Sequence, residues 1–243
     1  MGILSSAGQV ILPFEYDQIS YNEEGYTPFL KLQQGDKVGS FNCISGLSIP
    51  AEYHDLPIFY ETSGFFLLTK NNKAALFSSD YRQLTVFEFA PQTLTAFGKD
   101  LVCLANNGKY ILLNGTGQQL PGAVFDHFEV VHATDYAFFK KDNYFGCMRQ
   151  DGKIILEPRH ASLKSLSKNT ILAGFPDGAV QIYNLEGQLI SQEAFERVTL
   201  IDDAHFMVES EGKYGVINQT GTYTIPLNSQ YFNCAHGACP LVY

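Results

Sequence analysis

Along this chain a short apolar run, a polar turn closing on Gly and a second apolar run return about every 35 residues from one end to the other. The residues that open the first run of each unit are Met1, Val38, Ala74, Tyr110, Phe145, Val180 and Tyr214. Turn positions follow seven residues later at Gly8, Tyr81, Gly117, Gly152, Gly187 and Gly221, and one residue late at Gly46. Short runs bounded by turn residues are strand signals, and no segment sustains a helical period. A fixed period of this length marks units that bury their apolar faces only by stacking on one another.

The fifth unit shows the elements plainly. Tyr136 to Lys140 reads as strand a, Lys141-Asp142-Asn143 as a turn, and Tyr144 to Arg149 as strand b. Gln150-Asp151-Gly152 then turns the chain into strand c, Lys153 to Glu157, which is expected to end at Pro158. A weaker strand d is expected over Ser162 to Leu166, before the next strand a at Ile171. Gln34-Gly35-Asp36, Asn107-Gly108-Lys109, Asp177-Gly178-Ala179 and Glu211-Gly212-Lys213 join a to b with residues that accept positive φ. Beyond the b-to-c turn a ring recurs at Tyr16, Tyr53, Phe89, Phe125, His160 and Phe195, where rigid volume would fill the corner between neighbouring sheets. Pro13, Pro50, Pro121, Pro158 and Pro226 are placed just before that corner, where c ends.

These elements predict an all-β protein, a seven-bladed β-propeller of four-stranded repeats forming a single domain over 1–243. The chain opens on strand b, and its last run, Ala238 to Tyr243, aligns with strand a. The expected closure pairs that run with the first b, c and d strands, removing two sheet edges. An open array is the alternative.

Composition narrows the function. An apolar content of 45%, with 14 Tyr and 19 Phe, is enough for a core and favours strands. The 16 basic and 25 acidic side chains give a net charge of −9, which disfavours nucleic acid and anionic membranes as partners. Five Cys, at 43, 103, 147, 234 and 239, make an odd number, and two fall in expected strands, which points to a reducing compartment. No apolar run reaches the roughly 18 to 20 residues of a membrane span. A cytoplasmic location is expected, with an exported form that has shed its leader as the alternative. Met1-Gly2-Ile3-Leu4-Ser5-Ser6 has myristoylation spacing, but Gly2 is accounted for as the small residue of the first hairpin, like Gly39, Gly146 and Gly215. Asn114-Gly115-Thr116 and Asn218-Gln219-Thr220 fit the glycosylation pattern yet fall at equivalent turns, and read as turn chemistry.

Lys213-Tyr214-Gly215-Val216-Ile217-Asn218-Gln219-Thr220-Gly221, with Gly2-Ile3-Leu4 and Val10 through Ile19, resembles the WG-repeat family. The family is named for a Trp-Gly pair opening strand b. This chain has no Trp; Tyr110, Phe145 and Tyr214 keep a ring there, and the Gly persists at 2, 39, 146 and 215. The resemblance implies a mostly bacterial, β-propeller-like protein without a catalytic motif, acting by binding other proteins and in some members suspected of neutralising toxins.

In a propeller the d-to-a loops and b-to-c turns share one face, and variable loops on a rigid frame are where function concentrates. Closure would gather Asp202, Asp203, His205, His236, Glu23 and Glu24 in one sector flanked by Tyr21 and Tyr26, with Tyr60 on the same face. Tyr rings supply contact area and carboxylates steer a basic partner, so this patch is the expected protein-binding site, opposite Lys164 and Lys168. Adjacent carboxylates point apart and make a poor acid-base pair. Cys234-Ala235-His236-Gly237-Ala238-Cys239 offers three soft ligands where zinc favours four. The Gly residues open hairpins rather than helices, so no phosphate cradle is indicated, and no Ser lies in a strand-to-helix elbow. No catalytic residue, metal or cofactor is assigned. The expectation is a monomeric, non-enzymatic interaction module, toxin-neutralising in its sharper form. A small-ligand or carbohydrate receptor with Tyr and Phe around the channel stands second, and a hydrolase or metalloenzyme with a rim site third.

Overall fold

The computed structural model describes residues 1–21, 29–54, 64–90 and 94–229. Among them every regular element is a strand, and each sheet is antiparallel with its strands in chain order. The first sheet pairs β1 (Ile3–Leu4) with β2 (Val10–Leu12). The second holds β3 (Gln18–Tyr21), β4 (Phe29–Gln34), β5 (Lys37–Asn42) and β6 (Ser48–Tyr53), and the third β7 (Phe65–Lys70) and β8 (Lys73–Ser78). The fourth is β9 (Leu94–Phe97), β10 (Leu101–Asn106), β11 (Lys109–Asn114) and β12 (Gln119–Phe125). The fifth is β13 (His127–Val130), β14 (Tyr136–Lys141), β15 (Tyr144–Arg149) and β16 (Ile154–His160). The sixth is β17 (Ser162–Ser167), β18 (Thr170–Gly174) and β19 (Val180–Asn184), and the seventh β20 (Arg197–Asp202), β21 (His205–Ser210), β22 (Lys213–Asn218) and β23 (Tyr223–Ser229). The chain divides into two compact units, Met1–Val124 and Phe125–Tyr243.

All seven turn positions adopt positive φ, from 66° at Tyr81 to 85° at Gly152. At Gly8, Tyr81, Gly117, Gly152, Gly187 and Gly221 the turn N–H donates to the carbonyl three residues back, and at Gly46, with its extra residue, to that of Asn42. Between a and b, Asn71-Asn72, Asn107-Gly108, Asp142-Asn143 and Glu211-Gly212 have positive φ at both residues, the twist that suits a two-residue hairpin.

The partition of the repeat differs from expectation. Strand d bonds forward to the next strand a, so the complete sheets run d-a-b-c. The peptide just past five of the six corner rings makes a crossing bond: Asp17 N–H donates to Gln33 (2.8 Å), His54 to Thr69 (3.0 Å), Asp126 to Lys140 (2.7 Å), Ala161 to Gly174 (2.8 Å) and Glu196 to Glu209 (2.8 Å). The expected grouping of the first b, c and d in one blade is therefore corrected: β1 and β2 pair with each other, and β3 belongs to the second sheet. The run Ala238 to Tyr243 lies outside the described residues.

The small residue of strand b is explained by strand c. Between b and c the register slips at Val38/Ser40, Phe145/Cys147 and Tyr214/Val216, and the bulged strand arches over the Gly. A Cβ would lie 2.9 Å from the Leu12 oxygen at Gly2, 2.8 Å from that of Leu156 at Gly146 and 3.0 Å from that of Ile225 at Gly215, and at Gly39 it would overlap the Ile49 carbonyl. Where Ala75 and Gln181 replace this Gly, strand c contracts to isolated bridges, Ala74↔Phe89 and Phe77↔Gln83 in the third sheet, Val180↔Phe195 and Tyr183↔Leu189 in the sixth. In the third sheet the Thr85 hydroxyl accepts the Leu76 N–H at 2.9 Å.

The prolines are also placed differently. Pro50, Pro121, Pro158 and Pro226 sit inside β6, β12, β16 and β23, the last strand of each sheet, rather than at the strand's end. A proline there offers no donor to a further strand and blunts the edge.

Apolar faces pack sheet against sheet. In the first unit Leu12 and Tyr16 meet Leu30, Leu32 and Phe41; Val38, Ile49 and Tyr53 meet Phe66, Leu68 and Phe77; and Phe65, Ala74 and Leu76 meet Leu94, Val102 and Leu104. In the second, Tyr136, Phe138 and Leu156 meet Ile171, Ala173 and Tyr183, and Ile182 and Phe195 meet Val198, Phe206 and Ile217. The corner rings Tyr16, Tyr53, Phe89, Phe125, His160 and Phe195 are all buried. Burial also raises the Cys103 and Cys147 thiols to about 12, so both stay protonated and pack as hydrophobes.

Candidate functional site

The acidic loop between β20 and β21 is a tight turn built by its own side chains. Asp202 Oδ1 accepts the Ala204 N–H at 2.7 Å, and the His205 Nδ1 lies 3.0 and 3.1 Å from the two Asp202 oxygens. The Ala204 amide, with the His205 ring, holds the Asp202 carboxyl below the usual carboxylate range. Asp202 is thus a fixed negative charge whose geometry is set by the turn. Asp203 and Asp202 are exposed, His205 is half-buried, and the Gln219 amide from the b-to-c turn donates to the Asp203 carbonyl. Two adjacent turns of the seventh sheet are joined in this way.

Tyr21 ends β3 in the first unit and is 76% exposed. Asp202, Asp203 and His205 belong to the second unit, and within it Asp202 and His205 are in direct contact. Glu23, Glu24, Tyr26, Tyr60 and His236 lie outside the described residues, as do Cys234 and Cys239. Lys164 in β17 and Lys168 just after it are exposed. Among the described residues no group of three or more His, Cys, Asp or Glu is arranged to hold a metal ion.

The two glycosylation-like triplets are turn caps. Asn114 Oδ1 accepts the Thr116 and Gln118 N–H groups at 3.0 Å each and the Thr116 hydroxyl at 2.7 Å. Asn218 repeats this with Thr220 N–H (2.9 Å), Thr222 N–H (3.0 Å) and the Thr220 hydroxyl (2.7 Å). Local side-chain to backbone bonds of this kind are turn chemistry.

Two features escaped the sequence reading. The acid that follows a corner ring caps the next hairpin: Asp17 Oδ2 accepts the Gly35 N–H at 2.6 Å, Asp126 Oδ2 the Asp142 N–H at 3.0 Å and Glu196 Oε1 the Glu211 N–H at 3.0 Å. The signal was an acid one residue past the ring, so part of the negative charge is structural. The second is apolar: Met1, Leu4, Val10, Ile11, Phe14 and Tyr21, all within the first 21 residues, are large apolar side chains left exposed. In β1 and β2, Leu4, Val10 and Ile11 are exposed, while Ile3 and Leu12 join the packed cluster.

Residues 1–32 match the family model described as WG containing repeat. A search of curated proteins found no match. Among solved structures the chain is similar to Hsv2 of Kluyveromyces lactis, at 11% identity, covering 79% of this chain and 71% of that one with a TM-score of 0.36. It is also similar to BamB from Moraxella catarrhalis (12% identity, 88% and 76% covered, TM-score 0.29). The computationally designed Ika8 protein matches at 14% identity over 89% and 77% of the two chains, with a TM-score of 0.32.

Proposed function

We propose, from the WG-repeat assignment that residues 1–32 support, that this protein is a non-enzymatic protein-binding module of the β-propeller type. Its seven sheets are the blades of one propeller, and Ala238 to Tyr243 supplies a strand a beside β1, which among the described residues pairs only with β2. The partner is a protein with a basic surface, met by Tyr21, Glu23, Glu24, Tyr26, Tyr60, Asp202, Asp203, His205 and His236. In the sharpest form of the proposal that partner is a toxin, neutralised in the cytoplasm by a monomer of this protein.

The observation that carries the reading is the Asp202–His205 turn: two adjacent exposed carboxylates at the end of a packed sheet, of which that of Asp202 is pinned by a backbone amide and an imidazole. A preorganised charge costs little entropy on binding and steers a cationic partner. Phe97 in β9 and Phe128 in β13 are buried, which weighs against an aromatic ligand cradle on those strands.

The test is affinity capture from native lysate at low salt with the wild type and an Asp202→Asn/Asp203→Asn variant. Asn keeps an oxygen for the Ala204 amide while removing both charges. A basic protein retained by the wild type, released as salt rises and lost several-fold in the variant supports the proposal. Recovery of no partner, together with thermal stabilisation by a small ligand or sugar, overturns it.

A further inference from the structure

His160 occupies the corner that other repeats fill with Phe or Tyr, and its side chain is fully buried. Neither ring nitrogen makes a hydrogen bond of normal geometry, although the Phe145 and Glu157 carbonyls act on the ring. The other described histidines, 54, 127, 132 and 205, are exposed or half-buried. His160 ends β16, pairs with Phe145 of β15, and packs edge-on against Phe175 and Tyr183 of the following sheet, with ring centroids 5.4 and 5.7 Å away. The imidazole therefore sits between the fifth and sixth sheets, beside the Ala161 N–H to Gly174 bond that passes the chain from one to the other.

Such a site accepts the ring only without a charge. Burial removes the solvation an imidazolium needs and pushes the His160 pKa below its ordinary value. The carbonyls of Phe145 and Glu157 favour the charged form, and the neighbouring Arg159 opposes it; the loss of solvation is the largest of these effects. Of the ionisable groups on the elements packed against it, Glu157 and Arg159 on β16 and Asp177 in the turn after Phe175 are exposed. Asp177 is engaged with the Ala179 N–H at 3.0 Å, and the Tyr183 hydroxyl donates to Gln181 at 3.1 Å.

We propose that His160 is an acid-sensitive latch: its neutral ring holds the β13–β16 sheet against the β17–β19 sheet, and protonation opens the corner between them. The sign follows from the unfolded or opened chain binding the proton more tightly. The latch is fully closed above the ordinary His pKa of about 6.5. As pH falls from there toward the folded value, the closed state loses up to about tenfold in population relative to the open state per pH unit.

The test combines imidazole NMR titration of the full chain with amide exchange at Ala161 and Phe175, corrected for intrinsic rates, and melts of wild type and His160→Phe between pH 7.5 and 5.0. The expected result is a His160 resonance that stays neutral well below pH 6.5, faster exchange at Ala161 and Phe175 as pH falls, and a melting temperature whose decline is much smaller in His160→Phe. His160→Gln, uncharged but polar, should also lose the acid-dependent decline, from a lower starting temperature. A His160 that titrates at its ordinary value, or variants whose melting temperature falls with pH as steeply as the wild type's, would overturn the proposal.

Discussion

A glycine at a repeated turn does two separable jobs in this chain. At Gly8 only the positive φ requires it, because the space a Cβ would enter is open. At Gly221 the same φ is combined with a Cβ position that would overlap the Ile190 carbonyl of the preceding sheet. Gly117 meets Leu84 and Gly187 meets Ile155 in the same way. The left-handed conformation alone costs an L-residue roughly 1–2 kcal/mol. Gly8→Ala should therefore lower the unfolding free energy by about that much. Gly221→Ala should lower it by a further ~1–3 kcal/mol, since the clash forces neighbouring sheets apart as overpacking does. Urea denaturation of the two variants measures the difference. Tyr81 meets the same demand from the other direction, holding φ at 66° while its hydroxyl lies 2.6 Å from Ser40 Oγ and burial raises its pKa to about 12.

At the scale of the element, strand c separates the regular sheets from the degenerate ones. Where a bulge passes over Gly, c forms a ladder; where Ala75 or Gln181 stands it does not, while in the fourth sheet, with Ile111 at this position, β12 still pairs with β11. In the third sheet the Thr85 hydroxyl takes the place of the missing carbonyl for the Leu76 N–H. Thr85→Val removes that acceptor with little change of shape and leaves a donor unpaired, a loss of about 1–3 kcal/mol, while Thr85→Ser should be nearly silent. Thermal melts of the two variants decide it. The turns, the corner rings and strands a and b were legible in the sequence because each depends on residues close along the chain. The assignment of strand d was not. A cyclic period has no intrinsic first element, so the spacing of Ser162 to Leu166 from its neighbours says nothing of whether it bonds to β16 or β18. The proline positions misled for a related reason: Pro158 reads as a strand breaker, but on the last strand of a sheet it interrupts no ladder. At the site, the closeness of Asp202 and His205 was legible from their spacing, whereas the turn amide that uses the Asp202 carboxylate appears only in the folded backbone.

For the molecule as a whole, the feature that matters most is β1, which among the described residues pairs only with β2. In every other sheet with a strand b, that strand lies against a strand a, as β5 does against β4 and β22 against β21. Under the proposed closure, deleting Ala238 to Tyr243 should lower the melting temperature by several degrees and promote self-association through β1, far more than six residues at a chain end would otherwise do. Scanning calorimetry and light scattering check it, and a truncated monomer with an unchanged melting temperature would refute the closure. The forward pairing of strand d has a further effect on how the molecule is made. A ribosome delivers the repeats one after another, and each finished triplet of a, b and c is followed at once by a strand already committed to the sheet not yet synthesised. Assembly is in that sense relayed: every repeat hands its successor a template, and a fault in one is inherited by the next before it is felt anywhere else.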